Sequence, residues 1–416
     1  MIDKNAFSKL LLGLCFLICC NGITAQEVIS ADIFKDDVHF LASDAMHGRL
    51  TGTIYQDIAA EYIQSRFMEI GLTPVPGQKD FLQSFYIKHQ NDPHSNIGTM
   101  GDNSDSVHVL NVVGFIDNGA PSTIVLGAHF DHLGMGDNSF SLSTEKAIHN
   151  GADDNASGVS ILIELARILK TEKAAYNYLF IAFSGEEFGL WGSNYFVKHP
   201  TYPLSKMAAM INMDMVGRLK DENTILVGGV GTSPVWKDLL EKSNTSHLKM
   251  NFEESGVGPS DHTSFYNANI PVLFFFTGQH SDYHKPSDDY EKINFVGMAK
   301  IATNILTLIM DLNQVKAIPF SKTKDPENTR VSFNVSLGIM PDYIYSDGGL
   351  RIDGVTDGKP ASKSGLKPGD IITYLGGIVV NDIQDYMKAL NSIQKGEKVK
   401  IRYKRDGKRI ETDVQF

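Results

Sequence analysis

The sequence predicts an α/β protein, a sheet flanked by helices, followed by a small β-rich unit. Three observations predict it. Apolar runs of strand length at 123–128, 178–183, 207–213 and 271–276 alternate with longer segments of helical periodicity. A Gly-rich or polar loop follows these runs, as at the C-terminal edge of strands in an open α/β sheet. The composition then shifts. Residues 316–330 are polar, with Pro319 and Pro326, and read as a linker. Residues 331–416 read as short strands, turns and one helix at 383–390.

The elements follow in order. Lys4 and Lys9 precede an apolar stretch from Leu10 to Cys20 that is too short to span a bilayer. This predicts a signal peptide over 1–25, cleaved after Ala25, and an exported protein, periplasmic or extracellular. Bulky Phe16, Leu17 and Ile18 before Cys19 argue against a lipid anchor. All three cysteines (Cys15, Cys19 and Cys20) fall in this segment, so a metal in the exported chain is held by His and carboxylates. Residues 27–71 are expected to be helical: Ser30 is an N-cap signal, Ile58, Ala59, Tyr62, Ile63 and Phe67 recur at helical spacing, and Gly71 is a stop. Two strand-like runs, 81–87 and 107–116, flank a polar stretch. Helices are predicted at 158–169 and, closing the domain, at 295–312. The expected organisation is therefore 1–25 signal peptide, 26–315 catalytic-type α/β domain, 316–330 linker and 331–416 β-rich domain, with no further membrane span.

The 416 residues carry a net charge of −11, Asp and Glu outnumbering Lys and Arg by 49 to 38. That balance disfavours nucleic acid as the main partner, because phosphate binding needs a basic footprint.

Five side chains suited to metal binding stand at the chain breaks: His129, Asp153, Glu187, Asp214 and His284. His129-Phe-Asp131 places a carboxylate two residues after an imidazole, where Asp131 can accept from the ring. Gly151-Ala-Asp153-Asp154-Asn-Ala-Ser-Gly158 sets two carboxylates in a Gly-bracketed loop that opens a helix; a plain N-cap by Asp154 or Asn155 explains one of them. Ser184-Gly-Glu186-Glu187 pairs two carboxylates at a strand end, suited to one on metal and one free as general base. Asn212-Met-Asp214 and Tyr283-His284 add a further Asp and His. Two His and three carboxylates divide well over two divalent ions with one carboxylate shared. His132 and His149 read as bystanders, and His108, His199 and His247 as surface or loop residues. In Pro259-Ser-Asp261-His-Thr, Asp261 reads as a substrate-pocket or supporting residue, with Ser260 a simple helix N-cap as the plainer reading.

These motifs, all in order over about 29–312, resemble the co-catalytic zinc aminopeptidases, the aminopeptidase S/Y and bacterial leucyl aminopeptidase type. The resemblance implies a three-layer α/β/α zinc-exopeptidase sandwich with a mixed central sheet. It implies two Zn2+ per chain, with Asp153 bridging, His129 and Asp214 completing one ion, and Glu187 and His284 the other. It implies Glu186 as general base, Asp131 orienting His129, and a cis peptide between Asp153 and Asp154. The substrate implied is a peptide with a free N-terminus, with Asp261 and Tyr283 as substrate-pocket candidates. A separate apical insert found in some relatives is not expected, since the intervals at 71–107 and 117–295 are too short.

The tail, Val335-Ser-Leu337-Gly338-Ile339 and Gly365-Leu-Lys-Pro-Gly369-Asp370, resembles a PDZ domain of the bacterial protease-associated type. It implies that Leu337, Gly338 and Ile339 form the loop and strand that capture a peptide C-terminus; packing on the catalytic domain is an equal alternative. Two other readings of the whole chain stay open. One is a carboxypeptidase or glutaminyl cyclase of the same superfamily, the cyclases using one zinc. The other is a catalytically weak PDZ peptide-binding protein. The full ligand set with Glu186 favours the aminopeptidase.

Overall fold

The computed structural model describes residues 29–88, 106–137, 140–172, 174–324, 335–342, 345, 347–355, 358–381 and 383–416. The expected signal peptide and most of the second half of the linker lie outside these residues.

The helical pattern over 27–71 resolves into two helices, α1 (Lys35–Leu41) and α2 (Ile54–Ile70), rather than one. The break is a turn in which His47, Gly48 and Arg49 all have positive φ, 43°, 68° and 47°. A Cβ on Gly48 would lie 2.5 Å from the His149 carbonyl oxygen, so only glycine fits there. Gly71 (φ 84°) caps α2 as expected.

Eight strands form one mixed sheet. They are β1 (Leu82–Lys88), β2 (Ser106–Ile116), β3 (Thr123–His129), β4 (Asn177–Phe183), β5 (Met207–Met213), β6 (Thr224–Gly228), β7 (Lys249–Phe252) and β8 (Val272–Phe276), in the order β1-β2-β4-β3-β5-β8-β6-β7. The four middle strands, β4, β3, β5 and β8, are mutually parallel. β1 and β2 run antiparallel to their neighbours, and β6 runs antiparallel to β8 but parallel to β7. The helices between strands are α3 (Gly158–Leu169), α4 (Trp191–Lys198), α5 (Trp236–Ser243) and α6 (His262–Asn267), and α7 (Phe295–Leu312) closes the domain.

Strand periodicity fills both faces. Ile124, Leu126 and Ala128 of β3, with Tyr178, Phe180 and Ala182 of β4, join a core containing Phe67 of α2, Leu165 of α3 and Ile305 of α7. The alternate residues, Val125 and Leu179, Ile181 and Phe183, pack on the other side with Phe196 of α4 and Phe265 of α6. Such two-sided burial stabilises by about 1.5–3 kcal/mol per large apolar side chain and makes the three layers expected. Helix α7 is long and apolar enough to cross a membrane, but 61% of it is buried in this core.

The C-terminal unit has β9 (Ile339–Pro341), β10 (Leu350–Val355), α8 (Pro360–Lys363), β11 (Ile371–Leu375), β12 (Ile378–Val379), α9 (Ile383–Ser392), β13 (Lys398–Arg405) and β14 (Lys408–Gln415). Its sheet is antiparallel, ordered β14-β13-β11-β10-β9, with β12 beside β11. It has its own core, including Leu337, Ile352, Ile372, Leu375, Leu390 and Ile401. Asp370, from the Gly-Leu-Lys-Pro-Gly-Asp stretch, is buried and takes two charged hydrogen bonds from Arg405, each 2.7 Å. Gly338 has φ 75°, and among the described residues β9 is the edge strand, paired only with β10.

Candidate metal centre

Each of the four parallel strands delivers part of one cluster at its C-terminal end. His129 ends β3. Ser184, Glu186 and Glu187 follow β4, Asp214 follows β5, and His284 lies in the loop after β8. The turn before α3 is pinned to the end of β5 by Asn155, which donates to the Met213 carbonyl (3.0 Å) and accepts from the Gly158 and Met215 amides (2.9 and 3.2 Å). A Cβ on Gly158 would sit 2.4 Å from Asn155 Oδ1 and 2.5 Å from the Met213 oxygen, so this junction requires glycine.

Two half-sites result. His129 Nε2 lies 3.2 Å from Asp154 Oδ1 and 3.3 Å from Asp214 Oδ1. His284 Nε2 lies 3.3 Å from Asp154 Oδ2 and 3.1 Å from Glu187 Oε2. The two oxygens of Asp154 thus face different imidazoles. Donors bound at about 2.0–2.1 Å in a tetrahedron stand about 3.3 Å apart, so all four spacings suit ions between them. No Lys or Arg forms an ion pair with Asp154, Glu186, Glu187 or Asp214 among the described residues. Buried carboxylates without cations are costly, and mixed imidazole and carboxylate donors suit a zinc-class divalent ion.

Asp153 is not in this cluster. Its Oδ1 accepts from the Gly217 amide (2.6 Å) and Ser157 Oγ (3.1 Å), and its Oδ2 faces His280 Nε2 at 3.1 Å. The expectation that Asp153 stands between the two half-sites is corrected: Asp154 stands there, because the turn sends successive carboxylates to opposite sides. The non-proline cis bond is correspondingly Asp154–Asn155, not Asp153–Asp154.

The electrostatics separate the two halves. Burial opposes charge on Asp154, but hydrogen bonds from His129 and His284 hold its carboxyl well below the usual range. Burial likewise opposes charge on Glu187, yet His284 and His132 bring it down to about 2. Burial pushes Glu186 well up, His129 opposing and the charges of Asp214, Glu187 and Asp261 adding to the rise. Asp214 is raised by burial, against the pull of His129. Burial also opposes charge on His129, but Asp214 and Glu186 raise its pKa well above the ordinary value.

Asp131 is fully buried. Its Oδ1 accepts the Glu186 amide at 3.2 Å and stands 3.7 Å from His129 Nδ1, whose hydrogen bond goes instead to the Asp131 main-chain carbonyl oxygen at 3.3 Å. Asp261, expected near substrate, is fully buried beneath the cluster, where burial pushes its carboxyl up to about 7. Ser260 does more than start a helix: its hydroxyl donates to Asp214 Oδ2 (2.7 Å) and accepts from Asn212 Nδ2 (2.8 Å). Tyr283 stacks on His284, ring centroids 3.8 Å apart, and packs against the cluster of Met215, Leu226, Phe274 and Phe276.

Sequence reasoning missed two histidines. His132 is fully buried with Nδ1 2.6 Å from Glu187 Oε1, so it is no bystander. His280 holds Asp153. Position next to His-x-Asp was the available signal for His132; His280 had none.

A parallel-centred sheet with carboxylates and imidazoles converging at its C-terminal edge is the arrangement of a metallohydrolase. Residues 111–309 match peptidase family M28 and residues 325–416 match the PDZ domain family, so the chain carries an M28 peptidase domain and a C-terminal PDZ domain. Aminopeptidase YwaD of Bacillus subtilis is 30% identical over 187 residues, 42% of this chain and 37% of that protein. A probable leucine aminopeptidase of Trichophyton verrucosum is 29% identical over 218 residues, 49% of this chain and 56% of the relative. The chain thus spans between about a third and two thirds of these relatives' lengths. Among solved structures, the Legionella pneumophila LapA aminopeptidase superposes with a TM-score of 0.53 at 23% identity, covering 70% of this chain and 74% of that one. The Porphyromonas gingivalis glutaminyl cyclase gives 0.55 at 18% identity, covering 68% and 99%. Both share the fold.

Proposed function

We propose that this chain is an exported aminopeptidase that uses two zinc ions and releases N-terminal residues from peptides. The observation that carries the reading is the meeting of two His–carboxylate pairs on the two oxygens of Asp154, with Glu186 beside one of them. In this reading His129 and Asp214 hold one ion, Glu187 and His284 the other, and Asp154 is common to both. Bound there, the ions supply Lewis acidity to a substrate carbonyl and to a water.

The chain's own residues do the rest. Glu186 takes the proton from the attacking water and delivers it to the departing amine. Its raised proton affinity, from burial first and like charges second, favours holding that proton between the two steps. Asp131 supports both sides at once, its carboxylate accepting the Glu186 amide and its main-chain carbonyl meeting the His129 ring. The acidic surroundings favour a protonated α-amine on the substrate. In the PDZ unit, β9, at the edge of the sheet among the described residues, and the positive-φ Gly338 support docking of a peptide C-terminus at Leu337, Gly338 and Ile339.

The test is a panel of aminoacyl, dipeptidyl and N-blocked reporters given to the zinc-loaded protein. Free-amine substrates are expected to be cleaved and N-blocked ones spared. Equal cleavage of blocked substrates, or cyclisation of N-terminal Gln without peptide hydrolysis, would overturn the reading.

A further inference from the structure

We infer that Thr51, in the turn between α1 and α2, is a positioning residue for the metal centre, acting through Asp131. Residues 111–309 match the peptidase family, so Thr51 lies outside the matched segment. The inference rests on the proposed zinc site.

Thr51 is buried, and its Oγ1 donates to Asp131 Oδ2 at 2.8 Å. Among the described residues, the only other hydrogen-bonding partner of that hydroxyl is Ser184 Oγ at 3.2 Å, and Ser184 spends its own proton on Gln56 Oε1 at 2.7 Å. The Thr51 proton therefore goes to the carboxylate, the closer and charged acceptor. With Oδ2 fixed, Asp131 Oδ1 is turned to the Glu186 amide (3.2 Å), while the carbonyl oxygen of the same residue meets His129 Nδ1 (3.3 Å). One hydroxyl thus anchors the residue whose carboxylate holds the backbone of the candidate base and whose carbonyl holds the ring of a candidate ligand.

The turn carrying Thr51 is held against the site independently. Arg49, fully buried, donates to the carbonyls of Phe130 (2.8 Å), Asn150 (2.6 Å), Gly151 (3.0 Å) and Leu41. It thereby ties the loop after β3 to the loop bearing Asp154. Leu50 bridges His132, and the Gly134 amide donates to the Gly48 carbonyl at 3.1 Å. The positive φ of residues 47–49 places this turn where an unbroken helix would point Thr51 elsewhere.

The test compares Thr51→Val, which keeps the shape and removes the donor, with Thr51→Ser, which restores it. Zinc affinity is read by chelator competition, kcat and KM with a free-amine reporter, and folding by thermal unfolding. Removing a partner that orients a ligand through its neighbour lowers metal affinity or activity by about 10–100-fold. Thr51→Val is expected to lose about tenfold in kcat and in zinc affinity, with KM little changed, and Thr51→Ser to recover most of both. Wild-type kcat and zinc affinity in Thr51→Val, or a serine variant as impaired as the valine, would overturn the inference. Should the valine variant not fold, Thr51→Ala against the same serine control gives the same reading. A wild type that binds zinc but releases no amino acid overturns the aminopeptidase reading, and the zinc-affinity arm still decides on Thr51.

Discussion

Replacing Asp154 and Asp153 separately by Asn distinguishes a shared ligand from its structural neighbour. Each oxygen of Asp154 faces a different imidazole at 3.2 or 3.3 Å, so one charge serves both half-sites. A carboxylate about 4 Å from a divalent ion at an effective dielectric of about 20 contributes about 8 kcal/mol before solvent takes its place. If water recovers three quarters of that, about 2 kcal/mol is lost per ion, roughly thirtyfold in each affinity. Asp153→Asn keeps an acceptor for the Gly217 amide and Ser157 and loses only the charged partner of His280. Its expected cost is about 1.5–3 kcal/mol of folding stability, with metal content unchanged. Elemental analysis after desalting, chelator competition and chemical unfolding give the three numbers. Loss of both ions from Asp153→Asn, with retention in Asp154→Asn, would refute the reasoning.

Other changes probe the remaining groups. Glu186→Gln is expected to lower kcat by about 10²–10⁴-fold while both ions stay bound, as general acid–base catalysis requires; metal analysis and steady-state kinetics check it. His132→Ala removes the 2.6 Å contact to Glu187 Oε1 and should weaken zinc binding by about 10–100-fold, read by competition. His262 is fully buried against Phe274, and burial lowers its pKa from 6.5 to about 3. Below pH 6.5 the unfolded chain binds a proton there that the folded chain refuses, so this group's stability is lost as pH falls from 6.5 towards 3. His262→Phe should gain about 2–3 kcal/mol relative to wild type between pH 7 and pH 4.5, measured by unfolding at both values. An unchanged difference would show that His262 is already protonated in the fold.

Much of the scaffold was legible because strand and helix periods are local. The runs at 158–169, 207–213 and 295–312 coincide with observed elements, and strand ends announced His129, Glu187 and Asp214. Residues 224–228 and 249–252 form strands of only five and four residues, too short to stand out by period, although β6 and β7, the latter at the sheet's edge, complete the sheet. The choice between Asp153 and Asp154 was not local. It depends on a backbone turn held by Asn155 and by Asp288, whose Oδ2 accepts both aspartate amides at 3.0 and 3.1 Å across more than a hundred residues. Thr51 and Arg49 were hidden for the same reason: a positive-φ break in an apparently helical stretch brings them to the site.

Anomalous diffraction at the zinc edge on crystals of the zinc-loaded protein tests the account most directly. It predicts two peaks, one between His129 and Asp214 and one between Glu187 and His284, each beside one oxygen of Asp154, and none on Glu186. A peak against Asp153 and His280, or a single ion with Asp154 turned away, would contradict it.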